Sequence, residues 1–322
     1  MISFLVRTLD IVWREPKMIF KYYLHHPPKT TNIKNVFMVD GKVGHGGMFD
    51  RLKGAISVYA ISKIQQKEFK IYFNYPFELQ KYLEPNNYNW LINKEDVVYS
   101  YPHSRPLFLY GECYDPKRLF KKRNREAHFY YGYDSLDKIN EHYGTAFEWG
   151  QLYRELFKPT PYLQQYINNY KQEIGSNYIV FHTRFLNLLG DKVETDINPE
   201  LLERDRRSFM ERMRDEIKRN SEDYIKKNGD VRIMLASDSM TFIEYMKIEM
   251  PDIYVVPGKV KHIDTAGATT DEENVKMFLD YYLIGGAKKV YSLVDKGMWP
   301  SAFPEYAAKI GNAPFERIDL RR

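Results

Sequence analysis

The 322-residue chain contains one cysteine, Cys113, so it cannot close an intramolecular disulfide. That removes the disulfide-framework class of secreted domains, excludes zinc sites built from paired cysteines, and favours a reducing, cytoplasmic compartment. No stretch approaches the ~20 consecutive apolar residues of a membrane-spanning helix. No Asp-x-Asp stands at an expected sheet edge, so no divalent metal is implied. The glycines at 44 and 46 lack the third member of a dinucleotide fingerprint, because position 49 is Phe.

Aromatic residues, by contrast, are abundant at 16%, with 27 Tyr, while 18 Gly and 16 Pro are ordinary numbers for this length. Such a composition describes a chain folded throughout, long enough for two domains. The net charge of +5 suits a phosphorylated small ligand, an anionic membrane face or nucleic acid, and decides among them no further. The densest positive run is Lys117, Arg118, Lys121, Lys122, Arg123 and Arg125. It reads first as a solvated face and second as a polyanion contact. Residues 1–29 mix Trp13 and several aliphatics with Arg7, Arg14, Lys17 and Lys21, and show neither the apolar centre nor the cleavage site of a signal peptide. Two readings follow: a helix lying peripherally on the inner face of a membrane, or a helix packed on the body of the protein.

Hydrophobic patterning predicts a strand over 36–39, a glycine-rich turn, a helix capped by Asp50 and running to about 66, and a strand over 69–73. Tight turning with positive φ accounts for two of the turn's glycines. Segment 76–150 breaks into short aromatic-rich pieces with no assignable order. A helix started by proline follows Phe157-Lys158-Pro159-Thr160-Pro161 and leads to a strand over 178–182. Beyond it come a charged helix from an Asn198 cap with Pro199 in its first turn, a strand over 231–236, a helix through Phe242, Tyr245 and Met246, and a strand over 253–256. A Thr270–Glu273 capping box opens the next helix. A strand over 289–293 and a helix over 304–310 close the series. Repeated βα alternation predicts an α/β protein of two domains, 1–158 and 159–322, with parallel sheets flanked by helices.

Chemistry concentrates where these strands end, since open parallel sheets bind ligands at the carboxyl edge. Three segments reach that edge in the second half: His182-Thr183-Arg184, Ser237-Asp238-Ser239 and Ser301-Ala302-Phe303. The first reads as a cation at the end of an apolar strand, and arginine's planar fork grips two oxygens of a diphosphate while staying charged. Ser301 and the amides beside Pro304 lie at a helix start, where unpaired N–H groups attract anions. Asp280, one position off an apolar stripe, is either a guanine-accepting carboxylate or a solvent-facing helix acid.

In this order, over residues 36–311, the motifs resemble the GDP-fucose-dependent fucosyltransferase superfamily of GT-B fold, which includes α1,2-, α1,6- and protein O-fucosyltransferases. The resemblance implies two Rossmann-like domains, an acceptor-side N-terminal one and a nucleotide-sugar-binding C-terminal one. It assigns His182, Arg184, Ser237, Asp238, Ser301, Ala302 and Phe303 to the sugar nucleotide and Asp280 to guanine. His45, Gly46, Gly47 and Arg51 fall where the family's loop faces the donor sugar, with Asp50 standing where Asn is usual. The implied reaction is metal-independent inverting transfer of fucose from GDP-fucose to a glycan or lipid-linked saccharide, as in polysaccharide biosynthesis, with no cofactor and no nucleic-acid partner. Arg184 would stabilise the leaving group. The acceptor's proton would pass to an acid of the following loop, Glu194 before Asp191 or Asp196. Phe185 replaces the second arginine usual in the α1,2 and α1,6 members, which opens the linkage type. Another GDP-sugar, a non-catalytic carbohydrate-binding relative and a nucleic-acid-binding protein are the competing readings.

Overall fold

A computed structural model describes residues 13–26, 33–101, 103–109, 116–191, 200–258 and 269–321. The chain forms two compact units, Met1–Lys158 and Pro159–Arg322. Glu194, Asp196, Asn198, Pro199 and Cys113 lie outside the described residues.

The first unit is built on a four-stranded parallel sheet. Its strands are β1 (Lys34–Val39), β2 (Glu68–Phe73), β3 (Ser104–Phe108) and β4 (Glu126–Tyr130), in the order β2-β1-β4-β3. β1 is buried at every position, as expected for a central strand covered on both faces. Helix α1 (Met48–Gln65) begins after Gly47, and Asp50 sits in its first turn without capping it. The glycine turn also departs from expectation. Only Gly41 has a positive φ, +70°, whereas Gly47 serves as the helix cap at φ −55°. β3 and β4 emerge from the segment whose sequence gave no order, because their short length and Pro106 hide the pattern.

The second unit repeats the scheme with β5 (Tyr178–Thr183), β6 (Arg232–Ser237), β7 (Lys289–Val294) and β8 (Phe315–Asp319), all parallel, in the order β8-β7-β5-β6. Helix α2 (Pro161–Ile174) carries proline in its first turn, and the Thr160 side chain accepts from the Leu163 N–H. Helix α3 (Glu203–Asn228) starts later than the sequence suggested, and it buries Phe209, Met213, Ile217 and Ser221, one stripe at four-residue spacing. Helix α4 (Met240–Glu249) is capped by Ser239, whose Oγ accepts from the Phe242 N–H at 3.0 Å. Helix α5 (Asp271–Gly285) opens with the expected Thr270–Glu273 capping box, and α6 (Phe303–Gly311) ends at Asn312 in the left-handed conformation. The expected strand over 253–256 reduces to one bridge, Tyr254 beside Met234. β8 was not expected; its exposed edge position leaves mixed polar residues in place of an apolar run.

Alternation along the sheet divides its two faces. Phe181 stacks on Tyr291 at 4.8 Å within a core that includes Leu235, Met213, Ile217 and Phe242. His182, one residue on, points to the opposite face, where it meets Phe303 of α6. Helices α5 and α6 cross there at Gly285 and Gly311, whose backbones approach closely.

Residues 13–26 anchor inward through Met18 and Tyr23, the latter fully buried with its hydroxyl 2.7 Å from His128 Nδ1. For these residues the packed reading holds, yet Trp13, Lys17, Phe20, Lys21 and Leu24 remain exposed. Among the described residues no helix is long and apolar enough to cross a membrane.

Candidate nucleotide-binding edge

β5 consists of Tyr, Ile, Val, Phe, His and Thr, a run suited to a fully buried parallel strand, and it delivers His182 and then Arg184 to the carboxyl edge. Arg184 is half-buried, and its carbonyl accepts from the Trp299 N–H at 3.1 Å. This bond ties the end of β5 to the turn that starts α6. Within that turn the Ser301 N–H donates to the Trp299 carbonyl at 2.8 Å, and the Ser301 Oγ accepts from the Phe303 N–H at 3.2 Å. His182, Arg184, Ser301, Ala302 and Phe303 are therefore brought together, as the order of motifs predicted.

The charge of the site rests on the arginine. Burial, with the Arg184 and Arg317 guanidinium groups, pushes the His182 imidazole down to about 3. At neutral pH it is an uncharged ring stacked on Phe303, with centroids 5.7 Å apart, while Tyr281 meets the same phenyl edge-on at 5.6 Å. Arg184, not the His–Arg pair, is the cation at this strand end. Phe185 is fully buried against Phe209 and Phe242, so its position faces the core and no longer the edge.

Ser237 and Asp238 act on this edge from behind. The Thr183 hydroxyl donates to Ser237 Oγ at 2.9 Å, with both groups buried. Asp238 accepts from the N–H groups of Phe185 at 2.7 Å and Leu186 at 2.9 Å, which fastens the turn leaving Arg184, where Leu186 adopts φ +56°. Burial raises the Asp238 carboxyl to about 6, against the lowering effect of these amides and of Arg184. Asp191 is similarly engaged. Its carboxylate accepts from Ser239 Oγ at 2.5 Å and from the N–H and Oγ1 of Thr241 at 3.0 and 2.9 Å, so it holds the N-terminus of α4.

Asp280 is buried, which removes the solvent-facing alternative, and it pairs with Lys276 one turn earlier at 2.6 Å. Burial raises its carboxyl above the usual range, opposed by that lysine.

In the first unit His45, Gly46, Asp50 and Arg51 line a small cavity with Phe37, Tyr131 and Gly132. Arg51 is buried, and donates through Nε to the Gly46 carbonyl at 2.7 Å and through Nη1 to the Tyr75 carbonyl at 2.8 Å. Its guanidinium braces the loop. A side chain at Gly46 would place its Cβ 3.0 Å from the Tyr131 hydroxyl. His45 Nε2 accepts from the Gly41 N–H at 3.3 Å, and burial together with Arg51 lowers the ring to about 4, leaving it neutral. Sequence reasoning missed Asp40, directly after β1. Its Oδ2 accepts from Tyr99 at 2.8 Å, Tyr130 at 2.9 Å and Lys42 at 2.9 Å. Burial acts to raise this carboxyl, but Lys42 and the hydrogen bonds bring it below the ordinary value. Its strand-end position was the available signal. Arg317 was missed as well, because β8 carries no readable pattern. The basic run is partly turned inward: Arg118 pairs with Glu15, and Arg123 donates to the Lys121 and Arg118 carbonyls.

No protein-family model matches the sequence, and no curated protein matches it. Solved structures do. The chain is similar to the NodZ α1,6-fucosyltransferase soaked with GDP-fucose, with 14% identity, coverage of 90% of this chain and 96% of that one, and a TM-score of 0.55. It is also similar to the selenomethionine form of the fucosyltransferase NodZ from Bradyrhizobium, with the same identity and coverage and a TM-score of 0.57. NodZ co-crystallised with GDP covers 86% of this chain at 14% identity, 92% of its own length and a TM-score of 0.54. At such identity the likeness speaks for architecture alone, and in architecture this chain is a helix-flanked, parallel α/β protein with the GT-B fold of the NodZ fucosyltransferases.

Proposed function

We propose that the protein is an inverting, metal-independent fucosyltransferase that takes fucose from GDP-fucose to a hydroxyl of a glycan or lipid-linked saccharide. The observation carrying this reading is the convergence of Arg184 with the Ser301–Phe303 turn at the carboxyl edge of the second sheet, tied by the Trp299-to-Arg184 bond, in a chain with the fold of enzymes solved with GDP and GDP-fucose. Arg184 neutralises the departing diphosphate, whose charge grows as the sugar–oxygen bond breaks. Amides at the start of α6 add partial positive charge. Neutral His182 and Phe303 form the apolar floor that excludes water beneath it. Asp238 and Ser237 hold the Arg184 turn, and Asp280 takes the guanine once Lys276 yields one of its contacts. His45, Gly46, Gly47 and Arg51 belong to the proposal as the donor-sugar loop. Glu194 takes the acceptor's proton, while Asp191 is engaged by the α4 N-terminus.

A ligand that binds only the folded state raises the melting temperature with its concentration. GDP should do so, and UDP, CDP and ADP should not. Equal stabilisation by all four, or by none, would remove the guanine reading.

Peripheral attachment to an anionic membrane belongs to the same proposal. It is supported by the exposed Trp13, Phe20 and Leu24, which recur along residues 13–24 with Lys17 and Lys21 between them. Apolar groups at this spacing, interleaved with lysine, suit the interface of a charged bilayer. Co-sedimentation with phosphatidylserine vesicles should exceed that with phosphatidylcholine several-fold and fall in a Trp13→Ser, Phe20→Ser double variant. Equal recovery with both vesicle types would count against it.

A further inference from the structure

One row of the second sheet joins residues that the sequence keeps far apart. Ala236 on β6, His182 on β5, Ser292 on β7 and Arg317 on β8 are register partners across four parallel strands. Register partners in a parallel sheet share a face, so His182 and Arg317 rise on the same side, separated by the small Ser292. Phe303 covers the histidine on that side. The Arg317 guanidinium reaches forward from the row, and its Nη2 donates to the Ser301 carbonyl at 2.9 Å. The same nitrogen lies 3.7 Å from Glu305 in the first turn of α6. Arg317 therefore holds the turn between β7 and α6, at whose other end the Trp299 N–H holds Arg184. Two arginines thus hold one turn, Arg184 through its backbone carbonyl and Arg317 through its guanidinium.

We propose that Arg317 is the second cation of the anion site at this edge, fixing the Ser301–Phe303 turn with one donor and offering its positive charge to the terminal phosphate of a bound nucleoside diphosphate. This rests on the function proposed above and adds a residue to it. A diphosphate carries more negative charge than one arginine balances, and Phe185 points into the core, so the residue after Arg184 does not supply the remainder. The edge strand does. The depression of the His182 imidazole by both arginines agrees with two positive groups around it. One of five guanidinium N–H donors is used on Ser301, and a fork of this kind serves a backbone carbonyl and an anion at once. Glu305, at 3.7 Å, is a weak competitor that a phosphate displaces.

The test is binding of GDP, GMP and inorganic pyrophosphate to wild type, Arg317→Gln, Arg317→Lys and Glu305→Gln, by calorimetry at fixed ionic strength. Arg317→Gln should weaken GDP and pyrophosphate about tenfold or more and GMP by less than threefold, with its melting temperature within a few degrees of wild type. Arg317→Lys should recover part of the pyrophosphate affinity through charge, and Glu305→Gln should raise it. Unchanged GDP and pyrophosphate affinity in Arg317→Gln would overturn the proposal, as would an equal loss for GDP and GMP, which would mark Arg317 as support for the turn only. Should wild type bind pyrophosphate but no guanine nucleotide, the two-arginine anion site stands and the GDP-fucose reading falls. Should it bind none of the three, both fall.

Discussion

Replacing Arg184 by alanine should lower transfer from GDP-fucose by about 10²- to 10³-fold and leave the fold intact, the size expected when a group that stabilises developing charge is removed. The side chain leaves the strand at a half-buried edge position, so its loss opens no core cavity. Its backbone stays in place, because the bonds holding it come from Trp299 and from Asp238 acting on the next two residues. Lysine should restore little, since a point charge does not reproduce two parallel bonds to a diphosphate. Initial rates with GDP-fucose, read beside a melting curve with and without GDP, check this. An alanine variant that is still stabilised by GDP as wild type is, or that turns over at an unchanged rate, would refute the role given to this residue.

The largest stability effect should come from Gly311→Ala. A Cβ there would stand 1.6 Å from the Gly285 carbonyl oxygen and 2.6 Å from its carbon. Both partners are backbone, so no side chain can turn aside, and α5 and α6 must separate. The cost should be about 3 kcal/mol or more, at the upper end for an overpacked site. The consequence reaches the site, because α6 begins at Phe303, which packs on His182 and Tyr281. Urea unfolding should show the midpoint falling sharply, whereas Gly44→Ala, whose added Cβ meets nothing within 4 Å, should change stability by less than about 0.5 kcal/mol. A Gly311→Ala midpoint equal to that of wild type would show that the helices do not approach as described.

Much of the second unit could be read directly from residue order. The proline and Thr160 that start α2, the Thr270–Glu273 box that starts α5 and the apolar run of β5 are local devices, and each acts within a turn or a strand. Parallel architecture followed from their alternation, and with it the prediction that Arg184 and Ser301 would share an edge. Elements without a local device escaped. β3 and β4 are short and interrupted, β8 is an edge strand whose mixed residues carry no period, and the expected strand near 254 pairs through a single bridge.

The amino-acid order thus determined which side chains arrive at the carboxyl edge, since strand period and helix caps act over a few residues. Only the packed structure decided their chemical state and partners. Burial lowered the His182 and His45 imidazoles, while hydrogen bonds and strand register set Asp191 on the α4 N-terminus, paired Asp280 with Lys276, and brought Arg317 of an unpredicted strand to the Ser301 turn. Desolvation and hydrogen bonding depend on atoms supplied by distant parts of the chain, and those neighbours exist only once the sheet and its helices have closed around them.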